Sequence, residues 1–333
     1  MLGTAAGDQS IVLLELLPDG SSGLLIKGFD DLLAELHMAS LSSSGSAEGT
    51  VQGNDLRWVL FGVDMGIKLY KRCALIYTGF CRSFILPSKL VVFISQGEDS
   101  ILAKVRNKLN ETLAAMGDQP VFELAALESI LHASSEALTQ KINTLQMHVS
   151  DVVSMVSKAK ENPLDDIRLI RAACESVRGD AIKLEAASNA FILDEDAMHA
   201  FCFSEAGTRL SSNEKGETYG VEVLVESYLL QFDRQVRQVD ALERELELAL
   251  ATLTFKLDQA RNKILTIKVL IRSLTSASSA AALCEGVFGM NMPSGIRYVP
   301  NVFWAMVGMC LGGVALFVVV FLHYLRRKKI LID

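Results

Sequence analysis

The chain contains 333 residues, half of them hydrophobic, and its mean hydropathy of +0.31 is high for a soluble domain. The charge is uneven: residues 1–255 carry 22 Lys and Arg against 36 Asp and Glu, whereas residues 256–333 carry 10 against 3. The acidic larger part would repel phosphates, so we expect no nucleic-acid partner. The six cysteines form no CxxC pair and the five histidines are dispersed, which argues against a disulfide framework and against a zinc site.

Residues 1–120 have the pattern of an α/β domain. Four short apolar runs predict strands at residues 58–63, 73–77, 83–86 and 90–94. Pro87 and Ser88 are placed to turn a hairpin between the last two runs, and residues 101–116 predict a helix. The Ser/Gly-rich stretch at 39–53 predicts a flexible insertion within this domain.

Residues 121–220 predict the helical part of the same soluble domain. Apolar residues recur at helical spacing over residues 124–159 and again over 164–193, with Pro163 breaking the pattern between them. The acidic residues 194–196 and the polar stretch 208–220 are typical of loops.

A long helical pattern without Gly or Pro begins at residue 221 and predicts a stalk over residues 221–272. Its apolar residues keep a spacing of three and four, as in a heptad seam: Val225, Leu229, Phe232, Val236, Val239, Leu242, Leu246, Leu250, Leu253 and Leu257. The pattern runs on without a breaker to residue 291, which would give one helix roughly 105 Å long. Such a helix needs partners, either from its own chain or from sister subunits.

The strongest membrane signal lies near the C-terminus. Residues 298–325 contain no charged side chain, and a helix of ~20 apolar residues is enough to cross a bilayer. We therefore predict a transmembrane helix at 299–325. The basic residues that follow predict that the tail, residues 326–333, lies on the cytosol-like or matrix-like side.

A second and more polar span is predicted just upstream, at residues 273–291. It is rich in Ser, Ala and Gly and carries one acid, Glu285, so we expect it to face other helices or a water-filled lumen rather than lipid. The outer loop between the spans, residues 292–298, is short, so the two helices that it joins must be antiparallel. Both chain ends should therefore lie on the same side of the membrane.

The first span ends in Gly289, Met290 and Asn291. From the residues alone, this tripeptide is suggestive of a site at the mouth of a polar helix. It also has an ordinary structural explanation, because Gly and Asn are favoured where helices end.

The GMN tripeptide between two C-terminal spans resembles the CorA-type magnesium transporter family. The fuller string at 286–291 and the run at 257–264 (LDQARNKI) are similar to the plant and mitochondrial inner-membrane branch of that family. The resemblance implies an α+β N-terminal soluble domain, a long helical stalk and two C-terminal transmembrane helices, assembled as a homopentameric funnel in a lipid bilayer. The first span would line the pore and the second would face lipid.

The resemblance also implies roles for particular residues. Asn291 and Gly289 would form the pore entrance, which binds hydrated Mg²⁺, with Met290 supporting the packing. Asp258 would form an acidic ring near the inner end of the pore that binds ions and senses internal Mg²⁺. Arg261 would form the neighbouring basic ring or pair with Asp258 of a sister chain. Glu285 departs from the family pattern, which has a small residue there, and would face the pore or bond to a neighbouring helix.

The function expected from these features is Mg²⁺ influx that is driven by the membrane potential and gated by internal Mg²⁺. Mg²⁺ would be the transported and regulatory ion, and no other cofactor is expected. An enzyme is not expected, because the sequence has no nucleophile–base pair and no phosphate loop. The alternative is a membrane-anchored coiled-coil scaffold without transport activity. The sequence leaves open whether the membrane is the mitochondrial inner membrane, that of another organelle or the plasma membrane.

Overall fold

A computed structural model describes residues 11–40, 51–70, 72–94, 99–116, 121–158, 164–201, 218–289 and 301–327. The chain divides into two compact units, Met1–Ala249 and Leu250–Asp333. Each unit is described by itself below.

The first unit contains a six-stranded sheet in which every neighbouring pair is antiparallel. Its strands are β1 (Ile11–Leu16), β2 (Ser22–Lys27), β3 (Gly66–Tyr70), β4 (Cys73–Tyr77), β5 (Arg82–Leu86) and β6 (Lys89–Phe93). The order across the sheet is β2-β1-β6-β5-β4-β3. The hairpin predicted at Pro87 and Ser88 is confirmed, because Leu86 pairs with Lys89 across that turn.

The described helices account for most of the remaining chain. They are α1 (Phe29–Ser40), α2 (Gly53–Phe61), α3 (Asp99–Met116), α4 (Phe122–Lys158), α5 (Leu164–Leu193), α6 (Glu195–Ala200), α7 (Thr218–Gly289) and α8 (Val302–Arg327). The predicted helices at 101–116, 124–159, 164–193 and 221–291 correspond to α3, α4, α5 and α7. Helix periodicity in the sequence therefore located these elements to within a few residues.

The sheet lies between two hydrophobic cores. Ala74 and Ile76 of β4 belong to the core formed with α3, α4 and the start of α7, whereas Cys73 and Leu75 belong to the core formed with α1 and α2. All five residues of β4 are buried for this reason. A strand buried on both faces reads as an unbroken apolar run, which is why it was predictable. Burial raises the pKa of the Cys73 thiol to about 12, so this thiol stays protonated and packs as an apolar group.

Charged pairs hold α1 to the sheet. Lys89 of β6 lies 2.7 Å from the Glu15 carboxylate and 2.6 Å from that of Glu35, and Lys27 also pairs with Glu35. Partial burial alone would raise the pKa of Glu35, but the hydrogen bonds and charges of Lys27 and Lys89 outweigh it and lower that pKa. The carboxylate of Glu35 is therefore held in its ionised form.

Two predictions of secondary structure in this unit need correction. Residues 58–63 do not form a strand: α2 covers most of them, because Leu56, Val59 and Leu60 are buried at helical spacing. Residues 194–196 are not simply a loop, since the Asp194 carboxylate accepts a hydrogen bond from the Ala197 amide at 3.0 Å and caps α6.

The predicted insertion at 39–53 falls partly outside the described residues. Residues 39–40 end α1 and Gly53 begins α2, while residues 41–50 are not described. Of the predicted loop at 208–220, residues 218–220 belong to α7 and the others lie outside the described part of the chain.

The seam of α7 in the first unit follows a stricter repeat than the sequence suggested. Its buried residues are Val221, Val225, Tyr228, Phe232, Gln235, Val239, Leu242, Leu246 and Ala249. These positions alternate steps of four and three without exception, as in a heptad repeat. The choice of Leu229, Val236 and Leu250 as seam residues was therefore wrong: these three are only partly buried.

The second unit contains the remainder of α7, from Leu250 to Gly289, and α8. Among the residues described in this structure, no helix combines the length and the apolar character needed to cross a membrane.

Candidate functional site

The predicted ion-handling residues that the structure describes lie in the part of α7 that belongs to the second unit. In the single chain this segment leaves large apolar side chains in solvent. The exposed set comprises Phe255, Leu257, Ile264, Leu265, Ile267, Val269, Ile271, Leu274 and Leu283. A helix with this much exposed apolar surface is typical of one that is covered in an assembly or by lipid.

Asp258 and Arg261 lie one helical turn apart on this segment, and both side chains are exposed. No ion pair joins them within the described part of the chain, although residues three apart on a helix are close enough to interact. The carboxylate and the guanidinium are therefore both available to ions or to other subunits. A metal cluster is not formed by one chain: the described residues contain no group of three or more His, Cys, Asp or Glu placed to hold a metal ion.

Three of the five hydroxyl groups in the polar segment 273–289 bond to their own helix. Thr275 Oγ1 donates to the Ile271 carbonyl at 2.9 Å and Ser279 Oγ donates to the Thr275 carbonyl at 2.9 Å. Ser273 Oγ likewise donates to the Leu270 carbonyl at 2.8 Å. Such bonds satisfy polar side chains without any outside partner, which lowers the cost of placing them in an apolar environment.

The GMN tripeptide lies at the edge of the described residues. Gly289 is the last residue of α7, whereas Met290 and Asn291 lie outside the described residues. Glu285 belongs to α7, but its side chain is not among those described. The structure thus places Asp258, Arg261, Glu285 and Gly289 on one continuous helix and leaves the geometry of the tripeptide untested.

Two polar features of the first unit were missed by sequence reasoning. One is a buried group around Gln235 between α4 and α7, whose only sequence signal is a polar residue in a strict heptad seam. The other is an open cleft of about 430 Å³ between β3 and α5, with Asp64, Lys183 and Asp194 on its lining. Residues this distant along the chain are brought together only by folding, so no local pattern indicated the cleft.

Comparison with known proteins decides the family. The family model described as "Magnesium transporter MRS2-like" matches residues 55–261, which is more than half of the chain. The chain belongs to the MRS2-like magnesium transporter family. This confirms the resemblance inferred from the GMN tripeptide and the run at 257–264. The family is one of transporters and not of enzymes, in agreement with the prediction from the sequence.

Individual relatives extend the match. The chain is 24% identical over 233 residues to "Magnesium transporter MRS2-4" of Arabidopsis thaliana, covering 62% of this chain and 52% of the relative. It is 22% identical over 219 residues to "Mitochondrial inner membrane magnesium transporter mrs2" of Schizosaccharomyces pombe, covering 64% of this chain and 51% of the relative. The chain thus spans about half the length of these two curated relatives.

A solved structure supports the fold. The CorA magnesium transporter from Methanocaldococcus jannaschii superposes with a TM-score of 0.52 at 13% sequence identity, over 96% of this chain and 99% of that chain. A likeness at this identity speaks for the fold alone. The sheet domain followed by a long helix agrees with the CorA-type architecture predicted from the sequence.

Proposed function

We propose that the chain is the subunit of a homopentameric channel through which Mg²⁺ enters a compartment. Membership of the MRS2-like family carries this proposal. The exposed apolar side chains on α7 after Leu250 support it, because assembly around a central axis would cover them.

The two membrane crossings of each subunit are placed at 273–291 and 299–325. The second is supported by the absence of charged residues over 298–325 in the sequence. The first is polar: Ser273, Thr275 and Ser279 bond to carbonyls of their own helix, whereas Ser276 and Ser278 are exposed polar residues that suit a helix facing other helices or a water-filled pore. Both termini would then lie on the inner side, with the basic tail next to the membrane surface.

The pore entrance would be formed by five copies of Asn291 together with Gly289. Mg²⁺ releases its water reluctantly and is usually bound with several waters in place. Amide and carbonyl oxygens can accept hydrogen bonds from that water shell, whereas a ring of carboxylates would hold a divalent ion more tightly and slow its exit. A neutral entrance therefore suits rapid passage of a hydrated divalent ion.

The inner end of the pore would be guarded by rings of Asp258 and Arg261. Because neither side chain has an ion-pair partner in the described single chain, each is available to contribute to a ring about the axis. Five carboxylates near one axis repel one another, and bound Mg²⁺ would relieve that repulsion and hold the helices together. Internal Mg²⁺ would in this way favour a closed state. Glu285 would face either the pore or a neighbouring helix.

The driving force would be the membrane potential. A divalent ion gains roughly 4.6 kcal/mol for each 100 mV that it crosses, which corresponds to more than a thousandfold accumulation at equilibrium. No energy source other than this potential is required by the proposal.

Reconstitution of the purified full-length chain into liposomes tests the proposal. Mg²⁺ uptake, followed with an entrapped dye, should rise steeply when a potassium diffusion gradient makes the interior negative, and should be absent from protein-free vesicles. Failure of the wild-type chain to admit Mg²⁺ at any potential, in vesicles shown to contain folded pentamers, would reject the channel in favour of a scaffold.

A further inference from the structure

The contact between α4 and α7 contains a buried polar group in otherwise apolar surroundings. Among the described residues of α7, Gln235 is the polar side chain that is fully buried, at 5% exposure. Its neighbours in the seam, Phe232 and Val239, are buried apolar residues, and Leu138 and Ile142 are buried on α4. Gln235 therefore interrupts the apolar seam of α7, opposite the buried polar residue Ser135 of α4.

The amide of Gln235 is held by several acceptors on α4. Its Nε2 lies 2.8 Å from Thr139 Oγ1, 2.9 Å from the Ser135 carbonyl oxygen and 3.2 Å from Ser135 Oγ. Ser135 Oγ in turn donates to Gln231 Oε1, one helical turn earlier on α7, at 3.1 Å. We call these four residues, Gln231, Gln235, Ser135 and Thr139, the Gln235 cluster.

The cluster has a directional property that the apolar contacts lack. Apolar ridges on two helices can interdigitate in alternative positions along the axis, because each ridge repeats every turn. A buried amide can meet its acceptors in only one position, and a single buried polar residue fixes the register of coiled coils for this reason. Displacing α7 by one turn would leave the Gln235 amide buried without these partners.

The contacts of α7 with α5 hold its axial position less firmly. They include ion pairs between Arg178 and Asp240 at 2.6 Å and between Arg171 and Glu247 at 4.0 Å. Arg171, Arg178 and Glu247 are exposed and Asp240 is partly exposed, and such ion pairs contribute little to the free energy of an arrangement. The Gln235 cluster, in which Gln235 and Ser135 are buried whereas Gln231 and Thr139 are exposed, is thus the directional contact with a buried centre on this stretch of α7.

We propose that Gln235 is a positioning residue that fixes the axial register of α7 against α4, and that this register sets the internal Mg²⁺ concentration at which the pore closes. The second half of this statement rests on the proposed function. Gln235 precedes Asp258 by 23 residues on α7, and the proposal requires that a change of register at Gln235 be transmitted along this helix to the carboxylate that would sense Mg²⁺. The cluster itself binds no ion in this proposal.

The register can be measured without any transport. Spin labels would be attached to cysteines introduced by Thr144→Cys on α4 and Ala241→Cys on α7, both exposed positions, in a full-length chain whose own six cysteines are replaced. Wild type should give a single distance between the two labels. Gln235→Leu should add a second population in which α7 is displaced by about one turn, roughly 5 Å along the axis. Thr139→Val, which removes one acceptor at nearly constant volume, should show the same effect more weakly.

The matched control is Gln238→Leu, which makes the same chemical change at an exposed position of the same helix. Gln238→Leu should keep the single spin-label distance of wild type. A single distance in Gln235→Leu, at the wild-type value, would overturn the register assignment. The thermal unfolding of each variant is recorded in parallel, so that a variant that is merely unfolded is recognised by its melting curve and replaced in the comparison by Thr139→Val.

The link to transport is tested in liposomes by the internal Mg²⁺ concentration that halves the flux. Gln235→Leu should shift it by about fivefold or more, the scale expected when a buried hydrogen-bond set is removed, whereas Gln238→Leu should leave it within about twofold. A second distance population without such a shift overturns the link to closure. If the wild type passes no Mg²⁺ the proposed function fails, whereas normal wild-type flux with an unchanged Gln235→Leu variant means that this inference alone fails.

Discussion

Truncation of Phe232 tests whether the start of α7 is part of the sheet domain's core. The Phe232 side chain is completely buried, in a cluster that includes Val225 of α7 and Ile130 of α4. Its ring lies 6.4 Å from that of Tyr228, whose hydroxyl pKa is raised to about 12 by burial and by the charge of Glu128. Phe232→Ala removes this ring from a site with little freedom to collapse.

The expected loss in the free energy of unfolding is about 4 kcal/mol, within the range measured for removing buried aromatic rings. For a unit of this size, each kcal/mol corresponds to a melting-temperature change of about 2–4 °C, so the predicted decrease is about 8–16 °C. Leu230→Ala is the matched control on the same helix, because Leu230 is 62% exposed. Leu230→Ala should change the free energy of unfolding by no more than about 0.5 kcal/mol.

The assay is thermal unfolding of the full-length chain in detergent, followed by far-ultraviolet circular dichroism. The reasoning predicts a large difference between the two variants. Equal melting temperatures for Phe232→Ala and Leu230→Ala, or a decrease in Phe232→Ala of less than about 3 °C, would refute the placement of α7 in this core.

Three further predictions concern charge. Asp258→Ala should weaken closure by internal Mg²⁺, because the proposed acidic ring is lost; currents whose sensitivity to internal Mg²⁺ is unchanged would contradict it. Glu35→Gln should cost about 1 kcal/mol of unfolding free energy at pH 7. Because Lys27 and Lys89 lower the folded pKa of Glu35, the ion pairs contribute fully above the ordinary glutamate pKa of about 4.5 and are lost as pH falls through the lowered folded value, so the gap to wild type should close in acid; a gap independent of pH would show that charge is not its cause. Arg297 belongs to the predicted outer loop, residues 292–298, and lies outside the described residues. Arg297→Glu should lower the half-saturating Mg²⁺ concentration at low salt and lose this effect at high salt, because a negative charge near the proposed entrance attracts Mg²⁺ and salt screens that attraction. Equal half-saturation of wild type and variant at low salt would show that residue 297 does not act on the entrance.

The parts of the fold that were predictable are those whose pattern depends on local sequence. The apolar runs of β4, β5 and β6 and the breaker at Pro163 indicated strands and helix ends directly. By contrast, the run around Trp58 has the aromatic and β-branched residues of a strand, yet it is helical because its buried face contacts the sheet. The strands β1, β2 and β3 and the helix α1 were not predicted at all.

The site shows the same division. Apolarity favoured Val236 as a seam residue, whereas the structure buries Gln235. The hydrogen-bond partners of Gln235, Ser135 and Thr139, are about a hundred residues away in the sequence, so its burial could not be predicted from the residues next to it. No local pattern contains that information. The roles of Asp258 and Asn291 came from family resemblance; the structure adds that Asp258 is exposed on an unbroken helix, and Asn291 remains a prediction.

The central claim is that Asn291 forms the entrance of a Mg²⁺ pore, and Mg²⁺ uptake by liposomes with an imposed interior-negative potential tests it most directly. Wild type, Asn291→Ala and Asn189→Ala would be compared at equal protein density in the vesicles; Asn189 is an exposed asparagine on α5 and serves as the control. The account predicts potential-driven uptake by wild type and Asn189→Ala and its loss in Asn291→Ala. Near-normal uptake by assembled Asn291→Ala would contradict it.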